Sequence, residues 1–374
     1  MSVRQTTSGS RADEEPRPHV QSPRVGGASR QPEAQVDASS NDRLREIKWR
    51  WSRRVRRWDA RVAVRAPAIA REVHQAVRFG VGMYARCELP RCVGMMEACV
   101  AAFEGAWPRD GMRETRAMWH GYRLRLNCAD YFQRLTYALR RYPDVPTQMV
   151  LWRTLRPGDT FIDGGANVGM ISLLAAWRVG TAGRVHAFEP NPAMLQQLHW
   201  HVQSNNLGGI IEVHEAGLGE VRGVSELIVP GDDNFGAGTF APPPARYHGQ
   251  HQSLTAAEVV RLDDLALPIH GRVVVKLDIE GYEVRALRGM ANFIEQHKPL
   301  ILTEVNAEML AQAGTSPGVL ADFLMSREYR PYAYTTSRAI IRQRRLVLRP
   351  LQADSLSVDV AWVHGQRGDG HVLL

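Results

Sequence analysis

Thr160–Gly169 reads TFIDGGANVG. It starts as an apolar, β-branched strand and breaks into a glycine loop. MISLLAAWRVG follows as a helix, and RVHAFEP (184–190) as a second strand. Strand, loop, helix, strand is the unit of a parallel sheet with helices packed on its faces. Asp163, Gly165, Asn167 and Gly169 stand in the order D-x-G-x-N-x-G. Glycine lets backbone approach a ligand closely and adopt positive φ. The helix that opens near Val168 offers unpaired N–H groups and the positive end of a dipole, which suit an anionic or polar guest.

Glu189 closes the second strand, 20 residues beyond Gly169. A carboxylate there can accept both hydroxyls of a ribose. Nicotinamide enzymes use the same logic, so a dinucleotide cofactor competes at this point. Their fingerprint is G-x-G-x-x-G, whereas here Gly165 is followed by Asn167 and Gly169, with no pyrophosphate cradle.

The alternation continues on both sides. GYRLRLN reads as a strand, and ADYFQRLTYALRR and TQMVLWRTL as helices. NPAMLQQLHWHVQSNN is a helix opened by Asn191 and Pro192, a cap followed by proline at the first turn. IIEVHEAGL is a third strand and VVVKLDI (273–279) a fourth; YEVRALRGMANFIEQH is one helix, PLILTEV a strand and SPGVLADFLMSRE a helix. YRPYAYT, AIIRQRRLVL and SVDVAWV suit antiparallel strands added at an edge. The fold expected is α/β: Rossmann-like, doubly wound and mostly parallel.

Lysine occurs only at 48, 276 and 298. Lys276, Asp278 and Glu280 end an apolar run, where unpaired charge costs several kcal/mol, on the order of what a broken buried ion pair costs. Strand alternation puts Lys276 and Asp278 on one face. In an open parallel sheet, that strand end is where ligands bind. Such groups pair with a ligand or with each other; a Lys276–Asp278 or Lys276–Glu304 ion pair that only fixes strand ends is the structural alternative. The acidic trio has no spacing that demands a metal, and none is expected.

TFIDGGANVGMISL, RVHAFEPNPAMLQQL, VVRLDDL, VVVKLDIEGYEVRALRGM and KPLILTEV occur in this order at suitable intervals. Together they resemble the FkbM family of S-adenosylmethionine-dependent methyltransferases, over roughly residues 115–335. Gly164 and Tyr282 depart from the family, which more often has an aliphatic residue and a histidine there. The resemblance implies a seven-stranded methyltransferase sheet with S-adenosyl-L-methionine as cofactor. It implies that Asp163, Gly165, Asn167 and Gly169 surround the methionine part, and that Glu189 holds the ribose. Pro190 and Asn191 would shape the adenosine side, with Ala216 near adenine. The acceptor implied is a hydroxyl of a sugar, glycolipid precursor or secondary metabolite.

Methyl transfer to a hydroxyl needs alignment and a proton acceptor. Asp278 is the first candidate for base or substrate orienter, followed by Glu280 and Glu304. Lys276 would orient or balance charge, or act as base if burial makes it neutral. The segment VPGDDNFGAGTFAPPPARYHGQHQSL lies beyond the third strand and is placed to cover the acceptor; His248 and His251 in it read as solvated loop residues.

The chain has 374 residues, 44% hydrophobic and 23% charged, with net charge +8. The excess sits in residues 41–91, where 14 arginines and lysines face 5 acids. Residues 1–40 carry almost no large apolar side chains and read as a disordered tail. Leu44, Ile47, Trp51, Val55, Trp58 and Val62 form an apolar stripe on a basic helix over 42–66, which Pro67 ends or kinks. That helix docks on the body or a second subunit, or lies on an anionic membrane. A second helix is expected over about 91–107, with Val93, Met96, Val100, Phe103 and Trp107 on its stripe. The organisation expected is a tail (1–40), a basic helical region (41–114) and a methyltransferase domain (115–374).

Cys87, Cys92, Cys99 and Cys128 match no zinc spacing and read as small buried side chains. No apolar run approaches the roughly 20 residues that cross a bilayer, and the N-terminus lacks a secretory signal core, so a cytoplasmic protein is expected. The basic segment raises nucleic-acid methylation as a rival. The fourth strand ends in DIEGYE, not in the Asn/Asp-Pro-Pro-aromatic motif that amino groups of bases usually require. A nicotinamide oxidoreductase and a non-catalytic scaffold are the other rivals.

Overall fold

The computed structural model describes residues 38–86, 98–108, 110–230, 236, 238–242, 252–337, 345–352, 356 and 358–367. The expected tail lies outside the described residues up to 37. So do Val93, Met96, His248 and His251. The chain divides into two units, Met1–Arg45 and Glu46–Leu374. Of the first, only the start of helix α1 (Ala38–Arg65) is described. The rest of this section concerns the second.

Its centre is an eight-stranded sheet. In spatial order the strands are β12 (Arg345–Pro350), β11 (Tyr329–Ser337), β13 (Val358–His364), β10 (Leu300–Val305), β9 (Val273–Leu277), β3 (Thr160–Gly164), β4 (Arg184–Phe188) and β5 (Ile211–His214). The last five named are mutually parallel, and β11, β12 and β13 are antiparallel additions. The expected α/β class and mostly parallel sheet are present, with eight strands where seven were expected. β13 is not at an edge. It lies between β10 and β11, because its apolar side chains Val360, Ala361 and Trp362 are wholly buried. The Trp362 indole N–H, which needs an acceptor once buried, donates to Thr303 Oγ1 at 3.0 Å.

Every residue of β3 and β9 is buried, as a sheet covered on both faces requires. Alternate side chains feed two cores. Phe161, Val185, Ala187, Val274 and Leu302 pack under α4 (Val145–Thr154) and α5 (Met170–Val179). Ile162, Phe188, Val273, Val275, Leu277 and Ile301 pack under α7 (Glu283–Arg288), α8 (Ala291–His297) and α10 (Pro317–Met325). The chain winds outward from β3 through β4 to β5, then returns to β9 on the other side of β3. The topological switch therefore falls between β3 and β9.

Caps set the helix starts. Asp130 caps α3 (Tyr131–Leu139), Asp144 caps α4, and Asn191 caps α6 (Pro192–Ser204) with Pro192 in its first turn. YEVRALRGMANFIEQH forms two helices instead of one. Gly289 ends α7 against the backbone of Gly219, where a Cβ would come 1.9 Å from the carbonyl oxygen. IIEVHEAGL is likewise split, into β5 and β6 (Ala216–Leu218). β6 joins a separate sheet with β8 (Gln252–Val260) and β7 (Gly223–Pro230). β7 and β8 flank the expected covering segment, overlapping it only at 229–230 and 252–254, and the sequence reading assigned no strand to either. β1 (Met112–Arg116) pairs with β2 (Arg123–Asn127) and straddles the expected 114/115 boundary.

In α1 the packed stripe is rotated from the one expected. Ser52 and Asp59 are buried and Val55 and Val62 half-buried, while Trp51 and Trp58 are 43% and 48% exposed. The cause is polar: Asp59 Oδ1 lies 2.6 Å from His74 Nε2 on α2 (Pro67–Arg86), a buried contact that turns the acid inward. Leu44 and Ile47 have side chains outside the described ones. Ala66 separates the helices, and Pro67 opens α2. Residues 98–102 are helical, and Val100 and Trp107 pack with Leu135 and Leu139 of α3. Cys99 and Cys128 are free thiols, half-buried and buried. Among the described residues, no helix is long and apolar enough to cross a membrane.

Candidate active site

A cavity of about 440 Å³ opens at the carboxyl ends of β3, β4, β6, β9 and β10. One end is built by the glycine loop. Gly165 (φ 77°) and Asn167 (φ 53°) are left-handed. A Cβ on Gly165 would come 2.0 Å from the Asp278 carbonyl oxygen, so only glycine lets the β3 and β9 loops touch. The Gly165 and Ala166 amides both donate to the Phe188 carbonyl at 3.0 Å.

Glu189 faces this loop. One of its oxygens accepts the Asn167 amide at 2.7 Å and the other the Asn191 amide at 2.8 Å. Each oxygen retains a lone pair. Burial pushes this carboxyl up to about 7 although both backbone bonds oppose the shift. Two hydroxyl donors would hold it ionised. The residues therefore fit a ribose diol with an amino-acid group nearby.

At the other end stands a charged cluster. Lys276 Nζ lies 3.1 Å from Asp278 Oδ2 and 3.8 Å from Asp163 Oδ1. Burial opposes the lysine's charge, but Asp278 and Asp163 outweigh it and hold its pKa above the usual range. Lys276 is therefore a cation, which corrects the alternative of a neutral lysine base. Burial also opposes charge on Asp278, but Lys276 and a hydrogen bond from Glu304 outweigh it, and Asp278 stays ionised. Glu304 is pushed up to about 9, first by the charge on Asp278 and then by burial. The two carboxyls thus share one proton, which resides on Glu304 at neutral pH.

Gly165, Asn167, Glu189, Pro190, Lys276, Asp278, Glu280 and Glu304 all line the cavity. Four other expected residues stand behind the wall. Asp163 is wholly buried, accepts the Ser172 hydroxyl at 2.5 Å and neighbours Lys276 in register, so it stands beside the lysine and not on the cavity lining. Gly169 (φ 86°) opens α5 against Leu198. Asn191 acts through its backbone on Glu189 and through its side chain as a cap. Ala216 is buried in the core, and its neighbours Gly217 and Leu218 reach the cavity instead.

Sequence reading missed three groups. Tyr142 and Asp144 come from the connection between α3 and α4, and Asp359 from β13. Burial raises all three, Asp359 to about 7 with the charges of Asp144 and Asp278 adding to it. An acid inside the strand pattern SVDVAWV was the one available signal for Asp359. Asp144 was hidden by its role as a cap. Of the expected covering segment, Gly236, Gly238 and Phe240 line the cavity. Thr239 anchors it by donating its hydroxyl to the Glu280 carbonyl at 2.9 Å. Gly164, the departure noted above, sits where a Cβ would lie 2.8 Å from Leu277 and 3.1 Å from Leu218.

Residues 163–331 match the methyltransferase FkbM domain. The chain is 26% identical over 159 residues to the hexuronic acid methyltransferase AglP of Haloferax volcanii, covering 40% of this chain and 56% of that protein. It thus spans about half the length of this curated relative. Among solved structures, the FkbM methyltransferase of Methylobacillus flagellatus KT aligns at 19% identity over 61% of this chain and 52% of that one, with TM-score 0.35. A SAM-dependent O-methyltransferase of Thermotoga maritima aligns at 12% identity over 59% and 64%, with TM-score 0.30.

Proposed function

We propose, from the premise that residues 163–331 are a methyltransferase FkbM domain, that the protein transfers a methyl group from S-adenosyl-L-methionine to an uncharged hydroxyl acceptor. The acceptor class is a sugar, glycolipid precursor or secondary metabolite. The carrying observation is one cavity with two chemically distinct ends: a glycine loop with Glu189, and a Lys276–Asp278–Glu304 cluster.

Bound S-adenosylmethionine supplies an electrophilic methyl on a sulfonium. Gly165, Asn167 and Glu189 would hold it, with Pro190, Gly217 and Leu218 beside the nucleoside. At the acceptor end, ionised Asp278 takes the hydrogen bond of the acceptor hydroxyl and aligns its oxygen. As that oxygen loses its proton, Asp278 receives it. Glu304, already protonated, keeps Asp278 from being neutralised beforehand and places no second negative charge beside it. Lys276 holds Asp278 in position from behind. Tyr142 and Phe240 wall the cavity against water.

Among the described lining residues the one cation, Lys276, is already paired with Asp278, which disfavours a carboxylate acceptor. This separates the reading from the hexuronic acid named for the Haloferax protein. The test is a methyl-transfer screen with labelled cofactor against sugar and metabolite extracts, followed by mass spectrometry of the product. Labelled hydroxyl ether is the outcome expected. Labelled ester alone, or no calorimetric heat with the cofactor or its demethylated product, refutes the reading.

A further inference from the structure

A second cluster lies at the sheet edge, outside the cavity. His186 on β4 and Glu212 on β5 are register partners, and His214 follows two residues later on the same face. His186 Nδ1 is 3.3 Å from His214 Nε2 and 3.3 Å from Glu212 Oε2. All three ligand-type atoms lie within 4.8 Å of one another. Two ligands each about 2.0–2.1 Å from a tetrahedral zinc ion are about 3.3 Å apart.

The tautomer of His186 adds an independent argument. Its Nε2 lies 3.3 Å from the Pro268 carbonyl oxygen, which only accepts, so Nε2 carries the proton. In the neutral ring Nδ1 is then a lone pair, turned toward both the Glu212 carboxylate oxygen and the His214 Nε2 at 3.3 Å. A proton on His214 Nε2 satisfies one pair of these atoms, whereas a cation among them satisfies all three at once. A histidine with one nitrogen fixed on a backbone carbonyl and the other turned toward further ligand-type atoms is the usual arrangement of a metal ligand. The wholly buried His186 side chain is the inner ligand; Glu212, with a 54% accessible side chain, leaves the outer side open to water.

We propose that His186, Glu212 and His214 form a site for a zinc-class divalent transition metal, with water as fourth ligand. The ion ties β5, the edge strand of the large sheet, to β4. His214 stacks on Phe188 at 4.2 Å, and its carbonyl accepts the Glu189 amide at 3.1 Å. The site thus braces the strand end that carries Glu189, from outside the cavity. This inference does not depend on the proposed activity.

The test uses the full chain without an affinity tag, stripped with chelator and titrated with cobalt(II), then zinc. One equivalent of cobalt with the intense visible bands of four-coordinate geometry, displaced by zinc, is expected. Zinc should also raise the thermal midpoint, since it binds the folded state. The Glu212→Gln/His214→Asn variant should bind at least about 10–100-fold more weakly, the loss that even an outer-shell change causes, and its midpoint should no longer respond to zinc. Should that variant fail to fold, Glu212→Gln alone, altering an exposed group, carries the comparison. Equal cobalt binding by wild type and variant, octahedral spectra, or no binding at millimolar cobalt would each overturn the proposal.

Discussion

Asp278 is ionised because Lys276 stands 3.1 Å away and Glu304 lends it a proton, and both conditions are testable one residue at a time. Asp278→Asn removes the acceptor of the hydroxyl proton; turnover should fall by about 10²–10⁴-fold, while calorimetry shows cofactor affinity within a few-fold of wild type. A drop in affinity equal to the drop in turnover would assign Asp278 to binding. Glu304, pushed up to about 9, brings a second negative charge beside Asp278 as pH rises through that value. The pH profile of kcat/KM should therefore fall on an alkaline limb near 9, and Glu304→Gln should abolish that limb. Glu189→Gln keeps the shape but loses charge and one acceptor, so the cofactor Kd should rise about tenfold, the equivalent of about 1.4 kcal/mol.

Helices and strands end where close approaches dictate. YEVRALRGMANFIEQH has continuous helical periodicity, yet Gly289 splits it because the chain there touches Gly219. Gly289→Ala should lower the urea midpoint at unchanged slope, with a loss of about 1–3 kcal/mol from overpacking. The rotated stripe of α1 makes a paired prediction. Trp58→Ala, at a half-exposed position, should change stability by no more than about 0.5 kcal/mol. Asp59→Ala strands buried His74 and should cost about 1–3 kcal/mol. Equal costs would mean that the apolar stripe, not the polar one, is the packed face.

Across the whole molecule, buried acids in and beside the cavity trade stability for charge. Glu189, Glu283 and Asp359 are raised to about 7 and Glu304 to about 9, chiefly by burial in the first three and by Asp278 in the last. Groups with raised folded pKa stabilise fully below their unfolded values, near 4, and lose that contribution as pH rises through the folded ones. Asp278 runs the other way: its pKa is lowered, and its contribution is lost only in acid. The ligand-free protein should therefore show a denaturant midpoint that declines from about pH 5 to pH 9. A flat or rising profile would mean that these acids are ionised and solvated. Cofactor at 100 times its Kd should restore about 2.7 kcal/mol.

Order along the chain was enough for the class of fold, because strand, glycine loop, helix and strand each carry a local periodicity that neighbours do not alter. Gly165, Asn167, Glu189, Lys276 and Asp278 were legible for the same reason: glycine and charge at the end of a buried strand are locally anomalous. Asp144 and Asp359 were not, because a cap and a half-buried strand explain them until the fold brings β13 and the α3–α4 connection to the same cavity. Nor were the retreat of Asp163 behind Lys276, the split at Gly289 or the inward turn of Asp59. These depend on contacts between residues far apart in sequence, such as Asp163 with Lys276 and Gly289 with Gly219. The proton on Glu304 likewise exists only because packing sets a charged Asp278 beside it. Local pattern determined which segments become strands and where charge is anomalous; three-dimensional proximity alone decided which of those charges meet, and in what protonation state.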